Sequence, residues 1–588
     1  MPRLNQQFMT IGIQTLPMEV VNLIAAGEVI DSLAAVVREL VENALDAEAT
    51  RIVVSVWSDQ WRVRVADNGT GMNLGDLRQA ASAHSTSKIR NSDDLWKITS
   101  LGFRGEALHS LAALAELEIL SRLRGTVDGW RVAYNSQGEA VQMETVAIAP
   151  GTVVSVSNLF GAWPVRRKGL PPVAQQLRAI QATIQQIALC HPHVTWQVQQ
   201  NERPWFTISL GRTAQQILPQ ILKQVRLHDL QQLTVQVPTP EEESRGDSLI
   251  QNPKSKIQNG LIQLVLGLPD RCHRRRPDWV KVATNRRLVR SPELEQTILT
   301  ALTRTCPRDR YPICFVHLQI CPSQIDWNRH PTKAEIYLHS LSYWQEQVSC
   351  AIEKALRISP TNLPTAAYSQ RVEKLLKVCE EKGAYNVSRS IQPAPEGDEN
   401  TKKAAEISLI ELRAVAQVHN TYILAEHPTG MWLIEQHIAH ERVLYEQICD
   451  RWQLLPLEPP VILNSLTPAQ VEQLQRLGLD IEPFGEQLWA LRNAPALLQQ
   501  RDDCAAALLE LSLGGDLQTA QVATACRSAI RNGTPLSLPE MQTLLDQWKS
   551  TRNPRTCPHG RPIYLSLEES ALSRFFRRHW VIGKSHGI

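Results

Sequence analysis

Two sets of side chains in this 588-residue chain have types and spacings that could do chemistry. In the first, Glu39 and Asn43 stand four apart in Arg38-Glu39-Leu40-Val41-Glu42-Asn43-Ala44-Leu45-Asp46-Ala47, which reads as a helix. They therefore share a face and can meet at one ligand. A carboxylate there can orient an attacking water, and an amide oxygen beside it suits Mg²⁺, which prefers hard oxygen ligands. One such pair alone would also be explained by a solvated helix face. Asp67-Asn68-Gly69-Thr70-Gly71 then closes an alternating strand. An aspartate at a strand end can accept a hydrogen bond from an exocyclic amine, and Gly69 and Gly71 let backbone approach a ligand. Gly102-Phe103-Arg104-Gly105-Glu106 is a glycine-bracketed turn opening a helix, where N–H groups and the helix dipole favour phosphate.

The second set lies in the C-terminal third. His437 and Glu441 are four apart on one helical face, a geometry that can grip a metal ion, and Glu435 stands at the preceding strand-to-helix junction. Downstream, Cys526, Cys557 and His559 add ligands suited to Zn²⁺ or, less ideally, Mn²⁺. An exposed ion pair or a small core cysteine would explain members singly; the set together reads as a metal site.

The elements that must position these groups follow from periodicity. Residues 21–47 read as two helices, 51–57 as a strand, and 61–65 as the second strand of a hairpin, with another β-branched run at 151–156. Helices on one side of a mixed sheet follow from this order, giving an α+β fold with an N-terminal two-layer domain over 1–212. A second α/β domain spans 213–358, with a mobile surface loop at 238–260 rich in Pro, Glu and Gln-Asn pairs. Residues 359–406 read as a flexible linker, and 407–588 as a C-terminal α/β domain.

With 43% hydrophobic and 21% charged residues, the composition is that of a globular protein of several domains. No apolar run reaches the ~20 residues needed to cross a membrane, and the first residues lack the apolar core of a secretory signal. Eleven scattered cysteines argue against a disulfide framework, so a cytoplasmic protein without a membrane partner is expected. The net charge of +3 says little about nucleic acid, but Arg166-Arg167-Lys168, Arg274-Arg275-Arg276 and Arg286-Arg287 are local basic clusters that could meet a polyanion.

Ala25-Ala26-Gly27-Glu28-Val29, the Glu39 helix, the 67–71 segment, His84-Ser85-Thr86-Ser87-Lys88-Ile89 and the 102–108 segment closely resemble the MutL branch of the gyrase/heat-shock chaperone/histidine kinase ATPase superfamily. The resemblance resumes at Asn328-Arg329-His330-Pro331-Thr332-Lys333. It implies an ATPase with Glu39 as general base, Asn43 as Mg²⁺ ligand, Asp67 as adenine reader and Thr152 supporting Asp67. It also implies that Thr86, Ser87 and Lys88 belong to a lid over the phosphates, and that Lys333 reaches the γ-phosphate from a second domain of ribosomal-protein-like type. Two stretches depart from the family pattern: Ser32-Leu33 replaces Arg-Pro, and 161–169 lacks the usual Tyr-Asn-Thr-Pro-Ala before its basic cluster. The C-terminal set resembles the endonuclease motifs of family members that nick DNA, including Cys557-Pro558-His559-Gly560-Arg561-Pro562 and the tail Phe576-Arg577-Arg578. Here too there is a departure, Glu435 and Ile438 for the usual Asp and Ala. Gln453-Leu454-Leu455-Pro456-Leu457 resembles a short sliding-clamp motif of a kind that also occurs by chance.

What the resemblance implies is a DNA mismatch-repair protein. It would dimerise through its C-terminal domain, associate through its N-terminal domains on binding ATP, and partner DNA, a mismatch-recognition protein and the sliding clamp. One reading makes the C-terminal site a nicking endonuclease; another makes the chain a non-nicking clamp or matchmaker with a structural metal. A topoisomerase subunit or chaperone sharing the ATP fold fits Asp67 and Gly102 but not the C-terminal set.

Overall fold

The computed structural model describes residues 17–91, 94, 98–238, 259–326, 336–358, 410–428 and 430–569. The 328–333 block with Lys333, all but the ends of the 238–260 loop, the 359–406 linker and the 576–578 tail lie outside the described residues. The chain divides into two compact units, one drawn from Met1–Val265, Lys281–Gln296 and Phe315–Val348, the other from Leu266–Val280, Thr297–Cys314 and Ser349–Ile588.

In the first unit, helix α1 (Met18–Val29) ends at extended Ile30, and α2 (Leu33–Asp46) starts where Ser32 Oγ accepts the Ala35 N–H at 3.2 Å. That hydroxyl satisfies one of the donors a helix N-terminus leaves unpaired. Along α2, Leu33, Val36, Val37, Leu40, Val41 and Ala44 are buried, and the helix packs on the sheet and on the helix Val173–Cys190. Glu39, Glu42, Asn43 and Asp46 recur at i, i+3, i+4 and i+7, a polar stripe along an otherwise apolar helix. The sheet consists of β1 (Arg51–Trp57), β2 (Arg62–Asp67), β3 (Glu116–Arg122), β4 (Gly129–Tyr134), β5 (Ala140–Val146), β6 (Gly151–Ser157), β7 (Thr195–Gln200) and β8 (Arg203–Ile208), in the order β5-β4-β3-β6-β2-β1-β7-β8. It is mixed: β1 and β7 run parallel, whereas β1–β2 and β2–β6 are antiparallel. The hairpin expected at 61–65 starts one residue later, because Trp61 takes a left-handed φ of +52° in the turn. A second sheet orders Arg287–Val289, Val280–Thr284, Cys314–Gln319, Asn259–Gly267 and Leu230–Pro238.

Among its described residues the second unit has two large hydrophobic cores and a smaller cluster. One lies under the four-stranded sheet Arg413–Val418, Tyr422–His427, Gly430–Glu435 and Tyr564–Glu568, where Trp432 and Tyr564 stack at 4.4 Å and Trp548 meets both edge-on. The other lies under the three-stranded sheet Leu454–Asn464, Leu488–Pro495 and Ile481–Gly485. Helices Gln436–Asp450 and Leu517–Ser528 pack on each other through a third small cluster, and both carry candidate site residues. Among the described residues no helix is long and apolar enough to cross a membrane.

Candidate nucleotide site and candidate metal centre

The α2 stripe organises the first site. Glu39 is only 7% exposed, with Arg38 Nε 3.5 Å from Oε1. Asn43 Oδ1 faces the 101–105 turn: a Cβ built on Gly102 would stand 3.2 Å from it. Asp46, which the sequence reading passed over, accepts the N–H groups of Leu101 and Gly102 at 2.8 and 2.9 Å and lies 3.9 Å from Lys88 Nζ. One helix thus presents the base and amide expected to act on nucleotide and also fixes the start of the turn expected to meet phosphate. The signal that could have found Asp46 is the i, i+3, i+4, i+7 recurrence itself. Gly105 adopts φ +67°, and a Cβ there would fall 2.7 Å from the Ser85 carbonyl oxygen, so only glycine lets this turn meet the 84–88 segment. Glu106 heads the helix Ala107–Leu114 and lies 3.5 Å from His84 Nδ1. Phe103 is buried, with the Arg104 guanidinium over its ring at 5.8 Å.

Asp67 ends β2 beside β6, paired across the sheet with Thr152. Its Oδ1 accepts the Gly69 N–H at 2.8 Å. Burial pushes its pKa up to about 6 against the lowering effect of backbone hydrogen bonds from Gly69 and Thr152. Ser121, also missed by sequence reasoning, is fully buried and joins three pieces of this corner. Its hydroxyl accepts the Met72 N–H at 2.9 Å and lies 3.0 Å from both the Gly151 carbonyl and Thr152 Oγ1. Gly71, at φ +72°, passes so close to β3 that a Cβ would sit 2.0 Å from the Arg122 carbonyl oxygen.

The basic clusters fare differently from their surface reading. Arg166 lies over the rings of Phe160 and Trp163 and donates to the Gly27 carbonyl at 2.5 Å. Arg167 stacks over Trp61 at 4.8 Å and donates to Asn158 at 3.1 Å; Lys168 is exposed. Arg274 is held by both oxygens of Asp278 at 2.8 Å, while Arg275 and Arg276 are exposed. Arg287 is buried against Glu42 at 2.8 Å, so the 286–287 pair is not a surface patch.

Among the described residues of the second unit, two groups of possible metal ligands share one residue. His437, Glu441 and Cys526 form one, and Glu441, Cys557 and His559 the other, with all ligand atoms in each group within 4.8 Å. His437 and Glu441 come from the helix Gln436–Asp450, and Cys526 from the helix Leu517–Ser528. Cys557 and His559 come from a tight turn in which the Cys557 carbonyl accepts the Gly560 N–H at 2.8 Å. Arg442, 3% exposed, donates to the Thr556 carbonyl at 2.7 Å and ties the helix to that turn. His437 Nδ1 lies 2.9 Å from the Ile530 carbonyl and so carries the proton, which leaves Nε2, 3.9 Å from Cys526 Sγ, as the lone-pair nitrogen.

Glu441 is fully buried, and neither carboxylate oxygen has a well-directed hydrogen bond. His559 Nδ1 forms an ion pair with it at 2.8 Å, and Arg561 is 3.9 Å away. Burial opposes the charge on Glu441, but His559 and Arg561 outweigh it and hold the carboxyl below its ordinary value. Cys557 and Glu441 push the His559 imidazole up to about 9, while burial and then Glu441 push the Cys526 thiol up to about 11. A buried carboxylate among thiols and imidazoles, without directed donors, fits a soft or borderline cation.

Glu435 is not in either group. It caps its own helix, with Oε2 accepting the Ile438 N–H at 2.6 Å. Of the clamp-like pentapeptide, Gln453 is exposed, but Leu457 is buried in the core of the three-stranded sheet.

Three family models match the chain. Residues 31–158 match the histidine kinase-, DNA gyrase B- and HSP90-like ATPase, the span that carries Glu39 to Thr152. Residues 246–357 match the C-terminal domain of DNA mismatch repair protein, and 415–536 the MutL C-terminal dimerisation domain. The DNA mismatch repair protein MutL of Nostoc sp. is 68% identical, over 98% of this chain and 99% of the relative. That of Rippkaea orientalis is 64% identical, over 99% and 100%. A solved N-terminal domain of a DNA repair protein is 22% identical with a TM-score of 0.46, covering 56% of this chain and 96% of the other.

Proposed function

Because the chain belongs to the MutL family of DNA mismatch-repair proteins, with an ATPase domain and a dimerisation domain, we propose that it is an ATP-switched homodimer that nicks DNA at its C-terminal site. In this reading Glu39 orients the attacking water, Asn43 holds Mg²⁺ and Asp67 reads adenine. The 102–106 turn with Thr86, Ser87 and Lys88 embraces the phosphates, and Lys333 reaches the γ-phosphate. Phosphoryl transfer asks mainly for positioning and charge neutralisation, which such groups can supply. ATP and ADP would then favour different arrangements of the chain around DNA, to which a mismatch-recognition protein recruits it. Homodimerisation is supported by the apolar outer face of the four-stranded sheet, where Val418, Tyr422, Met431 and Leu565 are 37–58% exposed. Binding of the sliding clamp through Gln453 would require Leu457 to leave its core.

The observation that carries the nicking reading is Glu441, a buried carboxylate shared by two groups of soft and borderline ligands. His437, Glu441, Cys526, Cys557 and His559 would hold a Zn²⁺ or Mn²⁺ ion. Such an ion supplies Lewis acidity and an activated water to phosphodiester hydrolysis. The chain's own residues fix the His437 tautomer, exclude water around Glu441 and hold the 557–560 turn. The test is nicking of supercoiled plasmid with Mn²⁺ by wild type, Glu441→Lys and Glu39→Ala. Loss of at least ~100-fold in Glu441→Lys alone, with Glu39→Ala losing ATP hydrolysis but not binding, is the expected pattern.

A second reading, a non-nicking matchmaker with a structural metal, is favoured by Glu435, whose carboxylate is engaged in capping. Wild type that hydrolyses ATP but nicks nothing would establish it.

A further inference from the structure

Arg287 sits on a rigid mount. The two residues before it, Asn285 and Arg286, have φ of +45° and +70° as the central pair of the two-residue hairpin turn joining Val280–Thr284 to Arg287–Val289. Asn285 exchanges two 2.8 Å side-chain bonds with the backbone of Ile320, and its own N–H donates to the Leu318 carbonyl at 2.8 Å. The Arg286 N–H donates to His317 Nε2 at 2.9 Å, and its carbonyl accepts from His191 Nε2 at 3.0 Å. Burial pushes His191 down to about 3 and His317 to about 4, so both rings stay neutral and the mount does not loosen near neutral pH.

From this mount the Arg287 guanidinium, 7% exposed, reaches two acceptors at once. Nη2 is 2.8 Å from Glu42 Oε2 and also donates to the Leu101 carbonyl. Glu42 stands between Glu39 and Asn43 on the α2 stripe, and Asp46, one turn on, holds the Leu101 and Gly102 N–H groups. The 101–102 peptides are therefore gripped from both sides, their N–H groups by α2 and a carbonyl by a residue of the five-stranded sheet. Both bonds leave one planar guanidinium nitrogen, whose two hydrogens point in fixed directions; the ammonium of a shorter, freely rotating lysine does not hold both acceptors in that geometry.

We propose that Arg287 is a positioning residue for the nucleotide site, fixing the 101–102 turn against α2 and making movement of that turn felt by the five-stranded sheet. The proposal rests on the reading of the 102–106 turn as the phosphate site.

Its test uses the full chain and compares wild type, Arg287→Lys and Glu42→Gln. The readouts are steady-state ATP hydrolysis, titration with a non-hydrolysable ATP analogue, and thermal unfolding without nucleotide. For Arg287→Lys the expected result is a KM for ATP raised about tenfold, with a matching loss of analogue affinity and kcat within about twofold, the pattern of lost nucleotide positioning. Glu42→Gln keeps volume and one acceptor and is expected to shift KM in the same direction. An unchanged KM, or a fall in kcat or unfolding midpoint without a KM shift, overturns the proposal and leaves the pair purely structural. So does failure of both variants to fold. Wild type that neither binds nor hydrolyses ATP would instead remove the nucleotide reading itself.

Discussion

The two candidate sites hold buried charge by different means. Along α2 each carboxylate has a partner supplied by the protein: Asp46 takes two backbone N–H groups, Glu42 takes Arg287, and Glu39 lies beside Arg38. That arrangement is satisfied in itself and presents glycine-rich turns suited to an anion. At the C-terminal site Glu441 is fully buried and lacks a directed donor on either oxygen. Its charge is offset by ion pairs with His559 and Arg561 and not by directed hydrogen bonds, so the second site is the one whose stability should be linked to a cation. The contrast is between a candidate phosphate site, whose carboxylates are held by backbone donors and arginines, and a candidate metal site, whose carboxylate is held by ion pairs alone.

The largest expected effect tests that contrast directly. Glu441→Gln should weaken Zn²⁺ or Mn²⁺ binding by ~100-fold or more, measured calorimetrically, and should remove the rise in unfolding midpoint on adding metal. Metal affinity unchanged by this substitution would break the comparison.

A smaller effect is expected at Asp67, whose carboxyl burial raises to about 6. Its unfolded value is the ordinary 3.8, so the folded state takes up a proton first as pH falls. Above pH 6 the folded chain carries the cost of a buried charge, and stability from this group rises as pH falls from 6 towards 3.8. Asp67→Asn should therefore stabilise the nucleotide-free fold by roughly 2–3 kcal/mol at pH 7.5 while abolishing ATP binding. The stability difference should shrink as denaturant titrations are moved towards pH 4, and a difference independent of pH would show that Asp67 is not charged in the fold.

The smallest effect is expected at Glu435. Its observed role is that of an N-cap, so Glu435→Ala should cost about 1 kcal/mol in chemical denaturation while changing metal affinity less than about threefold. A loss of affinity like that of Glu441→Gln would make Glu435 a ligand after all and sharpen the case for nicking.

Much of the molecule was legible in the chain itself. The first two helices, the hairpin after them and the turn opening the helix Ala107–Leu114 follow from periodicity and glycines. These are short-range effects, decided within a few residues. His437 and Glu441 were likewise readable as one helical face.

Only the tertiary structure decided which long-range partners those groups meet. The sequence pattern offered six metal ligands but could not say that Glu441 is shared by two groups, or that the longer Glu435 side chain folds back to cap its own helix. It marked Arg166, Arg167 and Arg287 as basic, yet packing placed the first two against aromatic rings and backbone and buried the third against Glu42, 245 residues away. A side chain's type and its neighbours along the chain determine what it can bind. Whether it is left available to do so depends on burial and on partners from distant segments, which local periodicity does not encode.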